Sequence, residues 1–180
     1  TSRGYVAIGM DHFAKPNDEL AIAQQQGILH RNFQGYTTQG DCDLLGLGVS
    51  SISSVGKSFS QNHKQLKDYY ASIESNQQAV EKGLMLNDDD LIRGTVIKQL
   101  MCNFKLDKQQ ISDELNIDFD QYFVDDLAKL APFINDGLIE LSDQTITIKP
   151  QAKLLIRNIA MTFDAYMAKQ LNQQRFSRVI

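Results

Sequence analysis

The side chains best suited to chemistry in this sequence are concentrated between His30 and Gly40. Within these eleven residues the chain places a cation, Arg31, among amides, hydroxyls, two aromatic rings and two glycines. Neither a helical nor a strand period runs through the stretch, which argues against a buried amphipathic element. Glycine lets a backbone approach a neighbour or a ligand closely, and the polar side chains supply donors and acceptors around it. The pattern therefore indicates either a ligand-binding loop or an ordered, hydrogen-bonded connection between elements.

A second pair of candidate residues, Asp11 and His12, follows the apolar run Tyr5–Ile8. We predict this run as a short buried strand, and polar residues just past a strand's carboxyl end face the active site in a β/α barrel. Asp11 and His12 are therefore candidates for contact with a substrate. The alternative is a His–Asp pair that only fixes its loop. Asn17 is predicted to cap the next helix and Gly27 to end it, which completes a strand, loop and helix.

The distribution of glycine divides the chain. Eight of the eleven glycines precede residue 57, so we expect loops on strands in the first third and a helical body after it. The run Leu44–Val49 is predicted as an apolar strand whose glycines allow close backbone approach. It does not qualify as a dinucleotide fingerprint, because position 51 is serine and no helix pattern follows directly. Apolar residues at helical spacing between Leu66 and Ile73 predict a connecting helix.

The C-terminal half is predicted to contain helices and one hairpin. Acidic residues Asp88–Asp90 are expected to begin one helix and Asp107 to cap a second. A third helix is predicted from Phe119 to Leu130, and a hairpin follows between Leu138 and Ile148. Pro150 suits the first turn of a last helix. Three helices followed by a hairpin is a winged-helix order, so DNA binding has to be considered.

Charge argues against nucleic acid as a partner. Residues 118–140 contain six acidic side chains and one basic side chain, which is the wrong sign for a phosphate backbone. The net charge of −4 also gives no attraction to an anionic membrane, and no apolar run approaches the roughly 20 residues that span a bilayer. The two cysteines, Cys42 and Cys102, are too far apart for a metal clip. We expect reduced thiols in a cytoplasmic protein.

The stretch His30–Gly40, together with Asp43–Ser53, closely resembles the oxygen-independent coproporphyrinogen III oxidases, which are radical S-adenosylmethionine enzymes of haem biosynthesis. The resemblance extends from Gly9–Ala14 to Arg175–Ile180. It implies an α+β fold: residues 1–62 as the C-terminal end of a partial β/α barrel, 63–83 as a connecting helix, and 84–180 as a helical, winged-helix-like domain with a β-hairpin.

The family's cluster-binding motif, Cys-x-x-x-Cys-x-x-Cys, is absent from this sequence. The sequence also starts at Thr1, just before a predicted strand. We therefore expect this chain to be the C-terminal portion of such an enzyme, separated from the half that generates the radical. Alone it is expected to be inactive, and in the parent enzyme to pack on the N-terminal barrel.

The resemblance also implies a function. The family oxidatively decarboxylates two propionates of coproporphyrinogen III to give protoporphyrinogen IX. It uses a four-iron four-sulfur cluster, two S-adenosylmethionine molecules and a 5′-deoxyadenosyl radical. Its contacts to the second S-adenosylmethionine fall on Phe33, Gln34 and Ile52 of this sequence. The substrate carries four carboxylates, so Arg31 is our candidate for a bidentate contact with one of them. No metal ligand is expected within this chain.

Two other functions stay open at this point. The related radical S-adenosylmethionine haem chaperones bind haem without decarboxylation, but their counterpart of residues 33–36 typically carries a Tyr-Trp pair, and this sequence has no Trp. A stand-alone winged-helix interaction module would account for residues 84–180 and leave the first 62 unexplained. The sequence identifies neither the electron acceptor nor the oligomeric state.

Overall fold

The computed structural model describes residues 3–40 and 42–167. In these residues helices combine with four small antiparallel sheets, so the predicted α+β class is confirmed. No helix in this part of the chain is long and apolar enough to cross a membrane. The C-terminal segment Arg175–Ile180, which contributed to the family resemblance, lies outside the described residues.

Two short hairpins and one helix make up the N-terminal unit. Its elements are β1 (Val6–Gly9), β2 (His12–Ala14), α1 (Glu19–Gln25), β3 (His30–Arg31) and β4 (Tyr36–Thr37). β1 pairs with β2 and β3 pairs with β4, both antiparallel. The first strand was predicted one residue early, and the hairpin partner β2 was not predicted. Asp18 caps α1, because its Oδ1 accepts the Leu20 N–H at 2.9 Å. The cap predicted at Asn17 is therefore wrong by one position.

A three-stranded antiparallel sheet follows. It consists of β5 (Ile52–Val55), β6 (Ser58–Asn62) and β7 (Val80–Met85), with α2 (Leu66–Glu74) between the last two strands. A connecting helix was predicted across residues 63–83. The structure confines that helix to α2 and places β7, an edge strand with every residue exposed, in the rest of the range.

The strand predicted at Leu44–Val49 is wrong. Leu44 forms one isolated bridge to Ser54, and the rest of the run is a loop in which Leu45 is 71% and Leu47 84% exposed. The run has the composition of a buried strand. Gly48, however, has a φ of 97°, which turns the backbone out of the extended conformation.

The C-terminal unit is mainly helical. Its elements are α3 (Asp88–Asn103), β8 (Lys105–Asp107), α4 (Lys108–Leu115), α5 (Phe119–Tyr122), α6 (Val124–Ala128), α7 (Ala131–Asn135), β9 (Ile139–Leu141), β10 (Thr145–Ile148) and α8 (Ile156–Ala160). The strands form one sheet in the order β8-β10-β9. The helix predicted from Phe119 to Leu130 is divided, because Phe123 leaves the helical region between α5 and α6. The last helix starts with a 3₁₀ segment, Pro150–Leu155.

Helix α3 connects the two units. Its residues Val96 and Leu100 belong to the larger core cluster, while Cys102, also fully buried, packs with Ile8, Ala14, Ala21, Ala23 and Leu29 of the N-terminal unit. The side-chain amide of Asn103 reinforces the contact between α3 and the N-terminal unit. Asn103 Oδ1 accepts the Leu29 N–H at 3.1 Å, and Asn103 Nδ2 donates to the Leu29 carbonyl at 3.2 Å. The hairpins of the N-terminal unit are therefore held against α3.

Candidate functional site

The β3–β4 hairpin presents two of the predicted cofactor residues at its tip. Asn32 shapes the turn: its Oδ1 accepts the backbone N–H of Gln34 at 2.8 Å and of Gly35 at 3.3 Å. Gly35 has a φ of 143°, which favours glycine at that position. Phe33 and Gln34 are both exposed, and the exposed fraction of Phe33 is 50%. The hydrogen bonds of this turn thus place the Phe33 ring and the Gln34 amide next to each other at the surface.

Phe33 packs against the sheet that carries Ile52. Its ring meets that of Phe59 edge-to-face, with centroids 5.3 Å apart and planes at 87°. In the sheet register Phe59 lies opposite Ser54 and Leu84, while Ile52 and Lys82 both lie opposite Gln61. Residues directly opposite, and residues two apart on one strand, share a face. Ile52 and the Phe33–Phe59 pair therefore lie on the same face of the sheet.

A shallow groove of about 320 Å³ runs along this sheet, lined by Ile52, Phe59, Ser60, Gln61, Lys82, Gly83 and Leu84. Of these residues, only Ile52 was among the predicted site residues. Phe59 was missed because its neighbours are polar and the segment around it carried no strong strand signal. The alternation of Phe59 and Gln61 with serine was the available signal.

The loop before β5 fixes the position of Ile52. A Cβ added at Gly46 would lie 2.7 Å from the Ile52 carbonyl oxygen, so only glycine allows this approach. The Gly46 N–H also donates to Ser53 Oγ at 2.9 Å. A close approach of the backbone at the glycines of this segment was expected from the sequence, and Gly46 makes one. The segment is nevertheless a loop and not a strand.

Arg31 is a half-buried cation without an acidic partner among the described residues. Its guanidinium carbon lies 5.5 Å from the centroid of the Tyr36 ring, which is its cross-strand neighbour in the hairpin. Arg31 Nε is buried and makes no hydrogen bond to any residue that the structure describes, and the same holds for the Tyr36 hydroxyl. Buried polar atoms are normally satisfied, so Arg31 Nε is a candidate for contact with a bound ligand.

Asp11 and His12 lie beside this pair. His12 Nδ1 is 3.0 Å from Asp11 Oδ1, and Asp11 is largely exposed. The His12 ring meets the Tyr36 ring edge-to-face, with centroids 5.1 Å apart. Tyr36, which was not among the predicted site residues, therefore joins the β1–β2 hairpin to the β3–β4 hairpin. The structure brings His12 and Arg31 to the same tyrosine and leaves Asp11 on the outside.

The thiol and phenol near the site stay protonated at neutral pH. Burial raises the pKa of the Tyr36 hydroxyl, with a further increase from Cys102 and an opposing effect of Arg31. Burial also raises the pKa of the Cys102 thiol to about 11, against the opposing effects of Arg31 and Lys98. Because the thiolate is the metal ligand and the nucleophile, Cys102 is inert in this state. No group of three metal-binding side chains occurs in the part of the chain that the structure describes.

A second groove, of about 910 Å³, lies along α4 and contains none of the predicted site residues. Many of its side chains are acidic, and its buried cation, Lys108, already pairs with Asp120 at 2.7 Å. In its charges this groove resembles an ordinary solvent-exposed surface, and its buried cation already has an acidic partner. The candidate site is therefore the surface formed by the β3–β4 hairpin, the β1–β2 loop and the β5–β7 sheet.

Comparison with known proteins identifies relatives over the whole chain. Residues 86–155 match the family described as the HemN C-terminal domain. The oxygen-independent coproporphyrinogen III oxidases of Salmonella typhimurium and Escherichia coli are each 52% identical over 180 residues, which is 100% of this chain and 39% of theirs. The Helicobacter pylori enzyme is 39% identical over 176 residues.

A solved structure of coproporphyrinogen III oxidase (HemN) from Escherichia coli, a radical SAM enzyme, superimposes with a TM-score of 0.89 at 52% identity. The match covers 92% of this chain and 38% of that structure. This chain therefore spans about two-fifths of the length of these relatives, in their C-terminal portion.

Proposed function

Because this chain is homologous over its whole length to the C-terminal portion of the oxygen-independent coproporphyrinogen III oxidases, radical SAM enzymes of haem biosynthesis, we propose that it forms the same portion of such an enzyme. The observation that carries the proposal is the 52% identity across all 180 residues. The reaction is the oxidative decarboxylation of coproporphyrinogen III. In it this chain contributes one cofactor surface and one substrate contact.

Phe33, Gln34 and Ile52 form the cofactor surface, for the second S-adenosylmethionine. Phe33 and Ile52 are apolar and lie on one sheet face around Phe59, so they offer an apolar surface against which a ring of the ligand can pack. Gln34 adds an exposed amide whose side chain has no hydrogen-bond partner among the described residues, and it is available to a polar edge of the ligand.

Arg31 binds a propionate of the substrate. Its guanidinium is stacked and half-buried yet unpaired within residues 3–40 and 42–167, which is the state expected of a cation that awaits a carboxylate. His12 contacts the same ring as Arg31, and in its doubly protonated form it can donate from Nε2 to the same carboxylate or its neighbour while Nδ1 faces Asp11. Asp11 fixes the His12 ring through the Nδ1 contact.

The iron–sulfur cluster and the first S-adenosylmethionine bind outside this chain, because its only cysteines are Cys42 and Cys102 and Cys102 is buried. When bound, these groups supply the 5′-deoxyadenosyl radical that removes hydrogen from the propionate side chain. The residues of this chain orient the substrate and the second cofactor. Alone, the chain has no activity.

The upstream part of the enzyme, a partial β/α barrel, packs on the N-terminal unit, and the winged-helix-like C-terminal unit lies against it. The exposed apolar side chains of Leu45 and Leu47, next to the site, support such a contact. The order of α3, β8, α4, the short helices and the β9–β10 hairpin supports the winged-helix comparison.

The test compares Arg31→Gln with wild type in the full-length enzyme that contains this chain, with Arg157→Gln, an exposed arginine of α8, as the matched control. Loss of a charge-assisted contact should raise KM for coproporphyrinogen III by roughly tenfold or more. Iron content should not change. An unaltered KM in Arg31→Gln would refute the substrate contact. Absence of decarboxylation by the wild-type full-length protein would refute the proposed function.

A further inference from the structure

We infer that Tyr36 is a positioning residue whose aromatic ring, and not its hydroxyl, holds the Arg31 guanidinium in the orientation that binds the substrate carboxylate. The inference rests on the proposed function of Arg31. It adds a residue that neither the sequence motifs nor the family resemblance assigned.

The ring is fixed from several sides. The Arg31 guanidinium carbon lies 5.5 Å from its centroid, and the His12 ring meets it nearly perpendicularly at 5.1 Å. Tyr36 also packs on the buried cluster around Ile8 and Leu29. A cation beside an aromatic face is attracted by the ring quadrupole, and the attraction grows when the pair is removed from water.

The Tyr36 hydroxyl is held in place by packing alone. It is buried and has no hydrogen-bond partner within residues 3–40 and 42–167, and it occupies the space that a Cβ at residue 9 would need. Because no hydrogen bond fixes the hydroxyl, the orientation of the ring comes from packing against Gly9 and the cluster. Phenylalanine at position 36 would keep every one of these contacts except the hydroxyl's own.

Arg31 depends on this ring. Within the described residues it forms no ion pair, and its Nε is buried without a hydrogen bond, so the stacking on Tyr36 is the specific contact that orients the guanidinium. Without the ring the side chain gains rotamers, and a carboxylate must then order it again on binding. The consequence is weaker substrate binding with little effect on the chemical step.

The experiment measures kcat and KM for coproporphyrinogen III in the full-length enzyme. Tyr36→Leu should raise KM by roughly 3- to 20-fold with a much smaller change in kcat, and Tyr36→Phe should restore KM to near the wild-type value. Tyr70→Leu, an exposed tyrosine of α2, is the control for loss of a ring elsewhere. The double variant Arg31→Gln/Tyr36→Leu should have the KM of Arg31→Gln alone, because the tyrosine acts through the arginine.

Gly9→Ala tests the same geometry without removing the ring. The added methyl group must displace the Tyr36 hydroxyl, so KM should rise here too, whereas Gly94→Ala on α3 meets open space and should not change KM. If Tyr36→Leu does not fold, the KM of Gly9→Ala tests the inference in its place. The inference is overturned if Arg31→Gln raises KM while Tyr36→Leu and Gly9→Ala do not, or if Tyr36→Phe is as impaired as Tyr36→Leu. If Arg31→Gln itself leaves KM unchanged, the proposed substrate contact fails, and the inference fails with it.

Discussion

Replacing Gln34 by alanine should separate ligand binding from folding. The Gln34 side chain lies at the exposed tip of the β3–β4 hairpin, and the turn is held by Asn32 Oδ1 and backbone groups, which the substitution leaves in place. The side chain itself makes no hydrogen bond within the described part of the chain. Its loss should therefore change the free energy of unfolding by less than about 0.5 kcal/mol, as expected for a surface substitution.

Binding of the second S-adenosylmethionine should respond much more strongly. A polar edge of the ligand left without its partner costs about 1–3 kcal/mol, which corresponds to roughly one to two orders of magnitude in Kd. Decarboxylation should fall as well, since misplacement near a reacting centre is costly. Iron content and reductive cleavage of the first S-adenosylmethionine should stay at wild-type levels.

The assay is a comparison of Gln34→Ala and Phe33→Ala with wild type in the full-length enzyme. It measures iron per chain, cofactor stoichiometry, melting temperature and product formation, and Gln77→Ala, an exposed glutamine after α2, is the control. Near-normal turnover in both variants would refute the cofactor assignment. Lost iron together with a lower melting temperature would show instead that Gln34 fixes the loop.

Three further outcomes can be measured on this chain alone. It should remain colourless and free of iron after anaerobic reconstitution, because Cys42 and Cys102 are widely separated, and stoichiometric iron and sulfide would contradict this. In hydrogen exchange, amides of α3 and the β8–β10 sheet should be more protected than those of β5–β7, whose edge strand β7 is exposed throughout; the reverse order would contradict it. The hydrogen bond to Asp89 raises the Tyr122 pKa from 10.0 to about 12, so the hydroxyl stabilises the fold below pH 10 and loses this contribution as the pH rises from 10 to 12. Tyr122→Phe should weaken the fall in stability over that range in alkaline unfolding curves, and an undiminished fall in this variant would contradict the prediction. The remaining fall includes Cys102, whose raised pKa acts in the same direction.

Local chemistry made much of the C-terminal unit predictable. The helix at Asp88, the cap at Asp107 and the β9–β10 hairpin each have a signal within a few residues, such as a capping aspartate or alternating apolar positions. The β5–β7 sheet gave no comparable signal, because β6 is polar and β7 is exposed on both faces. An exposed strand lacks the alternating burial on which sequence patterns depend.

The sequence named candidate site residues one by one but not their arrangement. The composition of the β3–β4 hairpin singled out Arg31, and the family resemblance named Phe33, Gln34 and Ile52. The contact between Phe33 and Phe59, however, depends on how a hairpin packs on a sheet more than 20 residues further along the chain. The stacking of Arg31 on Tyr36 depends on hairpin register, which the loop conformation decides.

The buried position of Cys102 has a practical consequence. Its thiol is covered by the N-terminal unit, so a thiol reagent can reach it only when that unit separates from α3. Cys42 is exposed and should react at once, which provides an internal reference in the same molecule. The rate of the second, slower labelling step therefore reports how often the site-bearing hairpins leave the helix. A ligand that binds at the hairpins and tightens this contact should slow that step, even in the absence of any catalytic turnover.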